Sequence, residues 1–148
     1  MERSIPIETK VGIINKRDGI FLDHVQSDDH NMTFEGEING RRLREDFPFT
    51  LTFRRVIACF SCELDTYENM GDISYHDSSD FDLIEESTWL QSLPVRQDYD
   101  KGSYHHYRLA TYDTIYNIIA TDYNLEIEIE PEARELIAIR QMAIKTED

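Results

Sequence analysis

Apolar and polar residues alternate along most of this 148-residue chain, and this period of two restricts its possible folds more than any other feature. The alternation covers Met32–Ile38, Phe49–Leu64 with one change of phase at Arg54-Arg55, and Leu125–Ile129. Successive side chains of a β-strand point to opposite faces, so each stretch predicts a strand with one apolar face. The change of phase predicts a bulge or a sharp bend. The pattern therefore predicts a mainly antiparallel β-sheet that is strongly bent or partly closed.

Two helices complete the predicted α+β fold. Ser79 or Asp80 can cap a short middle helix that runs from Phe81 to Leu90, and Pro94 follows its end. Pro131 favours the start of a C-terminal helix, since apolar residues recur at helical spacing after it. The length suits one hydrophobic core, so we expect a single domain over residues 1–148.

Turn residues predict how the strands pair. Val11–Asn15 is expected to pair with Ile20–Val25 through a turn at Asp18-Gly19. Asn39-Gly40 favours a type I′ hairpin turn, because both residues tolerate positive φ angles. The strand returning from that turn would carry the basic cluster Arg41, Arg42 and Arg44. A further hairpin is expected from Tyr107–Thr111 through Asp113-Thr114 to Ile115–Ala120.

Negative charge is concentrated between Glu63 and Asp100, where eleven acidic residues accompany one basic residue, Arg96, in a chain of formal net charge −15. Nucleic acids and anionic lipid headgroups are bound through Lys and Arg, so this charge argues against nucleic acid and membrane partners. A basic protein is the natural partner, because complementary charges accelerate association. The competing interpretation is that the charge only keeps the protein in solution.

We expect the acidic segment to form one exposed binding face. Its carboxylates would orient a basic partner, and Tyr99 and Trp89 would supply aromatic contact area of the kind that protein interfaces use. Trp89 could equally fill the core beside Leu90 and Leu93. The predicted binding residues are Asp72, Asp77, Asp80, Asp82, Glu85, Glu86, Trp89, Asp98, Tyr99 and Asp100.

Residues with enzymatic or metal-binding potential are few. His105 and His106 are neighbours in a predicted strand and therefore point to opposite faces. His76 lies near acidic residues that lack calcium-loop spacing, and Cys59 and Cys62 are expected to be buried, unpaired thiols. We therefore predict no catalytic residues, no metal and no cofactor in a non-enzymatic binding protein. The alternatives are a small hydrolase or isomerase with a histidine–carboxylate site, and a carrier of a small ligand within a sheet-lined pocket.

Three stretches of the chain resemble small acidic bacterial proteins classed with the immunity proteins of polymorphic-toxin systems. They are TFRRVIACF at 52–60, STWLQSL at 87–93 and HYRLATYDTIYNIIATDYNLEI at 106–127. The resemblance implies a cytosolic protein that neutralises a toxin by occluding it. Nuclease toxins are basic where they bind phosphate, which suits an acidic inhibitor. The start of the chain has no apolar run of signal-peptide length, which also predicts a cytoplasmic location.

Overall fold

The protein is described by a computed structural model that covers residues 1–15, 19–39, 45–68 and 79–130, together with Ile137 and Ile139. Two short helices are described, α1 at Leu64–Glu68 and α2 at Thr88–Ser92. The strands are β1 Arg3–Pro6, β2 Glu8–Thr9, β3 Gly12–Ile13, β4 Ile20–Asp28, β5 Asn31–Ile38, β6 Phe47–Arg54, β7 Ala58–Glu63, β8 Phe81–Glu85, β9 His105–Ala110, β10 Thr114–Ala120 and β11 Asp122–Ile127.

The strands form two main antiparallel sheets and one small one. A five-stranded sheet has the order β1-β8-β9-β10-β7, a four-stranded sheet has the order β11-β6-β5-β4, and β2 pairs with β3. The prediction of a mainly antiparallel sheet is confirmed. Among the described strands no ladder closes the two main sheets into a barrel. The predicted C-terminal helix lies outside the described residues except for Ile137 and Ile139.

The two main sheets are joined at one corner. The chain passes there from β6 to β7 and from β10 to β11, so two neighbouring strands continue from one sheet into the other. The backbone N–H of Thr121 donates to the carbonyl of Arg54 at 3.0 Å, and that of Ile57 donates to Ile119 at 3.0 Å. Arg55 has a φ of 53°, which turns the chain. The bend predicted at Arg54-Arg55 is therefore confirmed.

Aromatic side chains fill the space between the sheets. Phe34 and Phe53 of the four-stranded sheet meet edge to face with ring centroids 5.6 Å apart. Phe53 also contacts Tyr107 of the five-stranded sheet at 5.3 Å, and Phe81 contacts Tyr123 at 5.2 Å. These edge-to-face and tilted contacts are the arrangements that aromatic rings prefer. One continuous core therefore holds the two sheets together.

The predicted middle helix is wrong over its first half. Phe81–Glu85 is strand β8, because it pairs with β1 on one side and β9 on the other. The helix begins only at Thr88, where the hydroxyl of Ser87 accepts the backbone N–H of Leu90 at 3.1 Å. It ends at Ser92, ahead of Pro94, as that proline predicts. The apolar spacing of residues 81–85 suited either structure, and pairing with two strands decided it.

The predicted hairpins have mixed outcomes. The pairing of Val11–Asn15 with Ile20–Val25 is wrong, because β3 pairs with β2 and β4 pairs with β5. β5 pairs antiparallel with β6, and Ile38 with Phe47 is the described pair that lies nearest to the predicted turn at Asn39-Gly40. Asp18, Gly40 and the cluster Arg41, Arg42 and Arg44 lie outside the described residues. The hairpin of β9 and β10 is confirmed.

The outer faces of the two main sheets differ. The outer face of the five-stranded sheet is covered, and Ile84, Ile115 and Ile119 are buried there. Trp89 of α2 packs on it through Phe60 and His106, each with a centroid distance of 5.1 Å. The outer face of the four-stranded sheet carries exposed polar side chains.

Candidate binding surface

The ten predicted binding residues do not form one exposed face. Asp72 and Asp77 lie outside the described residues, and the other eight are distributed over the interior, one sheet edge and the corner between the sheets. Asp82 is 0% exposed, so its predicted role at the surface is wrong. Strand pairing places it opposite Arg108, which is also buried, with 3.8 Å between the guanidinium and the carboxylate. Burial of a carboxylate in a sheet requires such a partner.

Two of the predicted acids are paired with basic groups from the start of the chain. Arg3 on β1 lies opposite Glu85 on β8, and their side chains form an ion pair at 2.7 Å. The carboxylate of Glu86 pairs with the N-terminal ammonium group of Met1. A hydrogen bond from that ammonium group lowers the pKa of Glu86. The charges of Glu85 and Glu86 are therefore compensated within the protein.

Asp80 and Trp89 serve packing and backbone pairing. Asp80 is partly buried, and its backbone bonds to Ile14 and Ala110 at 2.7 Å each. Trp89 is partly buried between Phe60 and His106 on the outer face of the five-stranded sheet, and it is not part of the core between the two sheets.

Asp98, Tyr99 and Asp100 are the predicted residues that the fold brings together. They line a groove of ≈ 440 Å³ at the corner between the sheets, beside His30 and Arg55. Asp98 accepts two hydrogen bonds from Arg96, at 3.0 and 2.9 Å. Asp100 accepts hydrogen bonds from Gly102 and Ser103, at 3.0 and 3.1 Å, and so caps a 3-10 turn over Lys101–Ser103.

The tyrosine of this groove already has a cationic neighbour. The guanidinium of Arg96 lies over the Tyr99 ring, 4.9 Å from its centroid. Asp98 is likewise paired with Arg96, whereas Asp100 accepts hydrogen bonds from the neutral donors of Gly102 and Ser103 and keeps its negative charge.

The two neighbouring histidines do point to opposite faces of β9, as predicted. His105 is exposed, and His106 is 0% exposed. The Nδ1 of His106 lies 2.7 Å from the Ser87 hydroxyl, and its Nε2 lies 2.7 Å from the amide oxygen of Asn117. A neutral ring with its proton on Nε2 satisfies both hydrogen bonds, with Ser87 as the donor to Nδ1.

His106 is built into the fold rather than presented to a substrate. Burial lowers the pKa of His106 to about 4, against the opposing effect of the Asn117 hydrogen bond. The ring is therefore neutral at pH 7, and Ser87 and Asn117 are buried with it. The hydrogen bonds described for this ring go to a hydroxyl and an amide, whereas the enzyme alternative needs a carboxylate beside a histidine that faces a cleft.

The cysteines and the remaining metal candidates add no site to the described parts of the chain. No disulfide joins Cys59 and Cys62, as predicted, but Cys59 is exposed and Cys62 only partly buried, so the predicted burial of Cys59 is wrong. It lies on β7, an edge strand whose alternate residues face outward. His76 lies outside the described residues. Within the ranges that the structure covers, no group of three or more metal-binding side chains occurs.

An acidic surface is present on a different element, the outer face of the four-stranded sheet. Register places Glu35 opposite Thr50, which in turn lies opposite Glu126. Glu37 lies two residues further along β5, and Glu128 continues the alternation of β11. The six carboxylates of this surface, which we term the acidic face, are Asp28, Glu35, Glu37, Asp122, Glu126 and Glu128.

Among the residues that the structure describes, few basic groups lie beside the acidic face, and Arg41, Arg42 and Arg44 are outside that part of the chain. Arg54 pairs with Asp122 at 2.7 Å, and His24 lies 3.4 Å from Glu35. Lys10 borders the β11 edge, where it lines a cavity together with Asn124. Between the carboxylates, the hydroxyls of Thr33 on β5 and Thr52 on β6 lie 3.4 Å apart. The acidic face is thus an exposed polar sheet surface with an excess of negative charge.

The sequence contained part of the signal for this face. The alternating glutamates of β5 and β11 are visible in the sequence, and both strands were predicted from them. What was missing is the register that places β6 between these strands and aligns their carboxylates on one surface.

Comparison with known proteins identifies no relative. The chain matches no protein-family model, no curated protein and no solved structure. The resemblance to immunity proteins therefore stays a prediction. Among the helices in the described part of the chain, none is long and apolar enough to cross a membrane.

Proposed function

We propose that this protein is a non-enzymatic binding protein whose acidic face docks on a basic protein. The observation that carries the proposal is the excess of exposed carboxylates on the outer face of the four-stranded sheet. We further propose that it acts in the bacterial cytoplasm as an immunity-type inhibitor, with a toxin domain as the basic partner.

The character of the acidic face suits docking more than it suits chemistry. Exposed carboxylates attract a cationic partner over several ångströms and accelerate association at low salt. Threonine side chains on the central strands β5 and β6 can form hydrogen bonds across an interface without burying a charge. From Pro48 to Arg54 there are six steps of about 3.4 Å each along β6, so the face is about 20 Å long.

An inhibitor of a phosphate-binding toxin would gain specificity from this arrangement. The surface of such a toxin is basic where it contacts its substrate. A flat acidic sheet can cover that surface and exclude the substrate, and it needs no catalytic residue to do so. The proposed mechanism is therefore occlusion driven by charge complementarity.

The direct experiment compares two charge-reversal variants. The face variant carries Glu35→Lys, Glu37→Lys and Glu126→Lys, and the segment variant carries Glu85→Lys, Glu86→Lys and Asp98→Lys. Both variants change the net charge equally, so general electrostatics cannot separate them. The partner to test is the basic C-terminal domain of a toxin-like protein encoded immediately upstream of this chain, with association rates measured by stopped flow at low salt.

The proposal predicts that the face variant associates at least about tenfold more slowly, because it loses steering toward the docking surface. The segment variant should differ from the wild type only by the small effect of net charge. Equal slowing of both variants would mean that association depends on the net charge of the protein and not on the acidic face. Unchanged affinity of the face variant would refute the assignment.

A further inference from the structure

The groove at the corner between the sheets, which we term the corner groove, continues into a second hollow. The first hollow has a volume of ≈ 440 Å³ and the second of ≈ 430 Å³, and they share His30, Val56, Ile57 and Tyr99. The second hollow is bordered by the apolar residues Leu93, Pro94 and Val95. The corner groove therefore has a polar half and an apolar half, and each is of the size of a small-ligand site.

Both walls of the corner groove are fixed by hydrogen bonds within the fold. One wall is the corner of the strands, where the backbone N–H of Val56 donates to the carbonyl of His30 at 2.6 Å. The other wall is the segment from residue 93 to residue 104. The ammonium group of Lys101 ties this segment to the end of α2, because it donates to the carbonyls of Gln91 and Leu93 at 2.6 and 2.9 Å. The groove is thus formed before a ligand binds, which lowers the entropic cost of binding.

The polar half of the groove is lined by one cation and one anion, which come from different walls. Arg55 belongs to the strand wall and Asp100 to the other. In the part of the chain that the structure describes, no carboxylate forms an ion pair with Arg55, whereas its neighbour Arg54 pairs with Asp122 at 2.7 Å. The described hydrogen bonds to the Asp100 carboxylate come from neutral donors. Two opposite charges therefore line one hollow without being paired to each other.

The backbone of Arg55 supports a role for its side chain. Its φ of 53° is a left-handed conformation that residues with side chains rarely adopt and that often occurs at functional sites. The backbone N–H of Arg55 donates to the side-chain oxygen of Asn31 at 3.2 Å, which holds the turn. The guanidinium itself is exposed at the groove.

We infer that the corner groove binds a free amino acid with a large apolar side chain, whose carboxylate pairs with Arg55 and whose ammonium group pairs with Asp100. A zwitterion satisfies both charges, whereas a simple anion would be repelled by Asp100 and a simple cation by Arg55. The planar guanidinium suits a carboxylate, because it can donate two parallel hydrogen bonds. The apolar side chain would lie along Val56 and Ile57 toward the apolar half. This binding activity is additional to the proposed docking and does not depend on it.

The inference is tested by titrating the full chain with leucine and following the backbone amide signals of Val56 and Ile57 by NMR. Three analogues each lack one feature of leucine. Leucinamide lacks the carboxylate, N-acetylleucine lacks the ammonium group, and glycine lacks the apolar side chain. The wild type should bind leucine at least about threefold more tightly than each analogue, which is in the range of one exposed ion pair or of a partly buried apolar group.

Two variants assign the charges of the ligand to their partners. Arg55→Gln should remove the preference for leucine over leucinamide and keep the preference over N-acetylleucine. Asp100→Asn should do the reverse, and its amide oxygen can still cap the turn that begins at Lys101. Arg54→Gln is the matched control, because it changes the net charge as Arg55→Gln does but alters a side chain that pairs with Asp122. It should keep both preferences.

The outcomes separate this inference from the proposed function. Leucine that leaves the groove signals unchanged, or that binds no more tightly than leucinamide and N-acetylleucine, would overturn the inference. Equal effects of Arg55→Gln and Arg54→Gln would also overturn it, because they would show that net charge and not the groove decides binding. The face variant should bind leucine as the wild type does, so the amino-acid site and the docking surface can fail independently.

Discussion

The two main sheets use the same alternation of apolar and polar residues for different purposes. In the five-stranded sheet the second face is covered, so its polar residues Asp82, His106 and Asn117 are buried. In the four-stranded sheet the second face is open, and its carboxylates face solvent. Polar groups of the first sheet are committed to partners when the chain folds. The carboxylates of the second sheet face solvent, although Asp122 and Glu35 lie beside Arg54 and His24, and we therefore propose that a partner binds there.

The comparison predicts a large difference in the cost of removing an arginine from each sheet. Arg108→Met should lower the free energy of unfolding by about 3–5 kcal/mol, because it leaves the buried carboxylate of Asp82 without its ion-pair partner. Arg54→Met, which breaks an exposed pair with Asp122, should cost less than about 1 kcal/mol. Urea denaturation measures both values. Similar losses in the free energy of unfolding for the two variants would contradict the distinction between a sheet with buried, paired polar groups and a sheet with an open polar face.

A second test concerns the bulge that places Phe21 on the outer face. A Cβ atom on Gly36 would lie 1.8 Å from the backbone oxygen of Phe21, so β4 approaches β5 too closely for any side chain there. Gly36→Ala should destabilise the protein by about 2–3 kcal/mol, in the upper range for forced overpacking. Gly102→Ala is the control, because its Cβ would meet no atom nearer than 3.4 Å. Equal unfolding midpoints of the two variants in urea would show that the bulge is not tightly constrained.

The buried histidine predicts a dependence of stability on pH that belongs to the five-stranded sheet. The pKa of His106 is lowered from 6.5 to about 4, so the unfolded chain binds the proton first as pH falls. The stabilisation from keeping His106 neutral in the folded protein is complete above pH 6.5. About 2 kcal/mol of the free energy of unfolding is lost between pH 7 and pH 5.

The measurement compares urea denaturation at pH 7 and pH 5 for His106→Gln and the wild type. The variant should show the smaller decrease in stability. His105→Gln, which changes an exposed ring on the same strand, should retain the profile of the wild type. If His106→Gln retains it as well, His106 is not the source of the acid sensitivity.

The smallest effect on stability is expected from the acidic face itself. The face variant should change the free energy of unfolding by less than about 1 kcal/mol, since substitutions at exposed positions usually have small effects. The free energy of unfolding should increase, because the variant reduces the repulsion between like charges in a chain of net charge −15. A loss of more than about 2 kcal/mol in urea would mean that these carboxylates support the fold and are not free for binding.

Much of the local structure could be predicted from the sequence. Strands β5 and β11 and the bend at Arg55 follow from alternation and from its change of phase, because these features depend on neighbours in the chain. The strand at Phe81–Glu85 could not be predicted in the same way. Its apolar spacing fits a helix as well, and the pairing with β1 and β9 that decides it involves residues far away in sequence.

The candidate site was harder to predict because charge along a sequence does not give charge on a surface. The acidic segment is dispersed, since Asp82 is drawn into the interior by Arg108, while Glu85 and Glu86 meet basic groups from the start of the chain. The acidic face instead combines glutamates that are about ninety residues apart, such as Glu35 and Glu126. Only the position of β6 between their strands brings them onto one surface.

Carboxyl footprinting of the complex would test the central claim most directly. Exposed aspartates and glutamates are labelled with carbodiimide and glycine ethyl ester, with and without the basic partner domain, and the modified residues are identified by mass spectrometry. We predict that binding protects Glu35, Glu37 and Glu126 and leaves the labelling of Glu63 and Glu86 unchanged. Protection of Glu86 and Asp98, with the acidic face still labelled in the complex, would contradict the proposal that the open sheet is the docking surface.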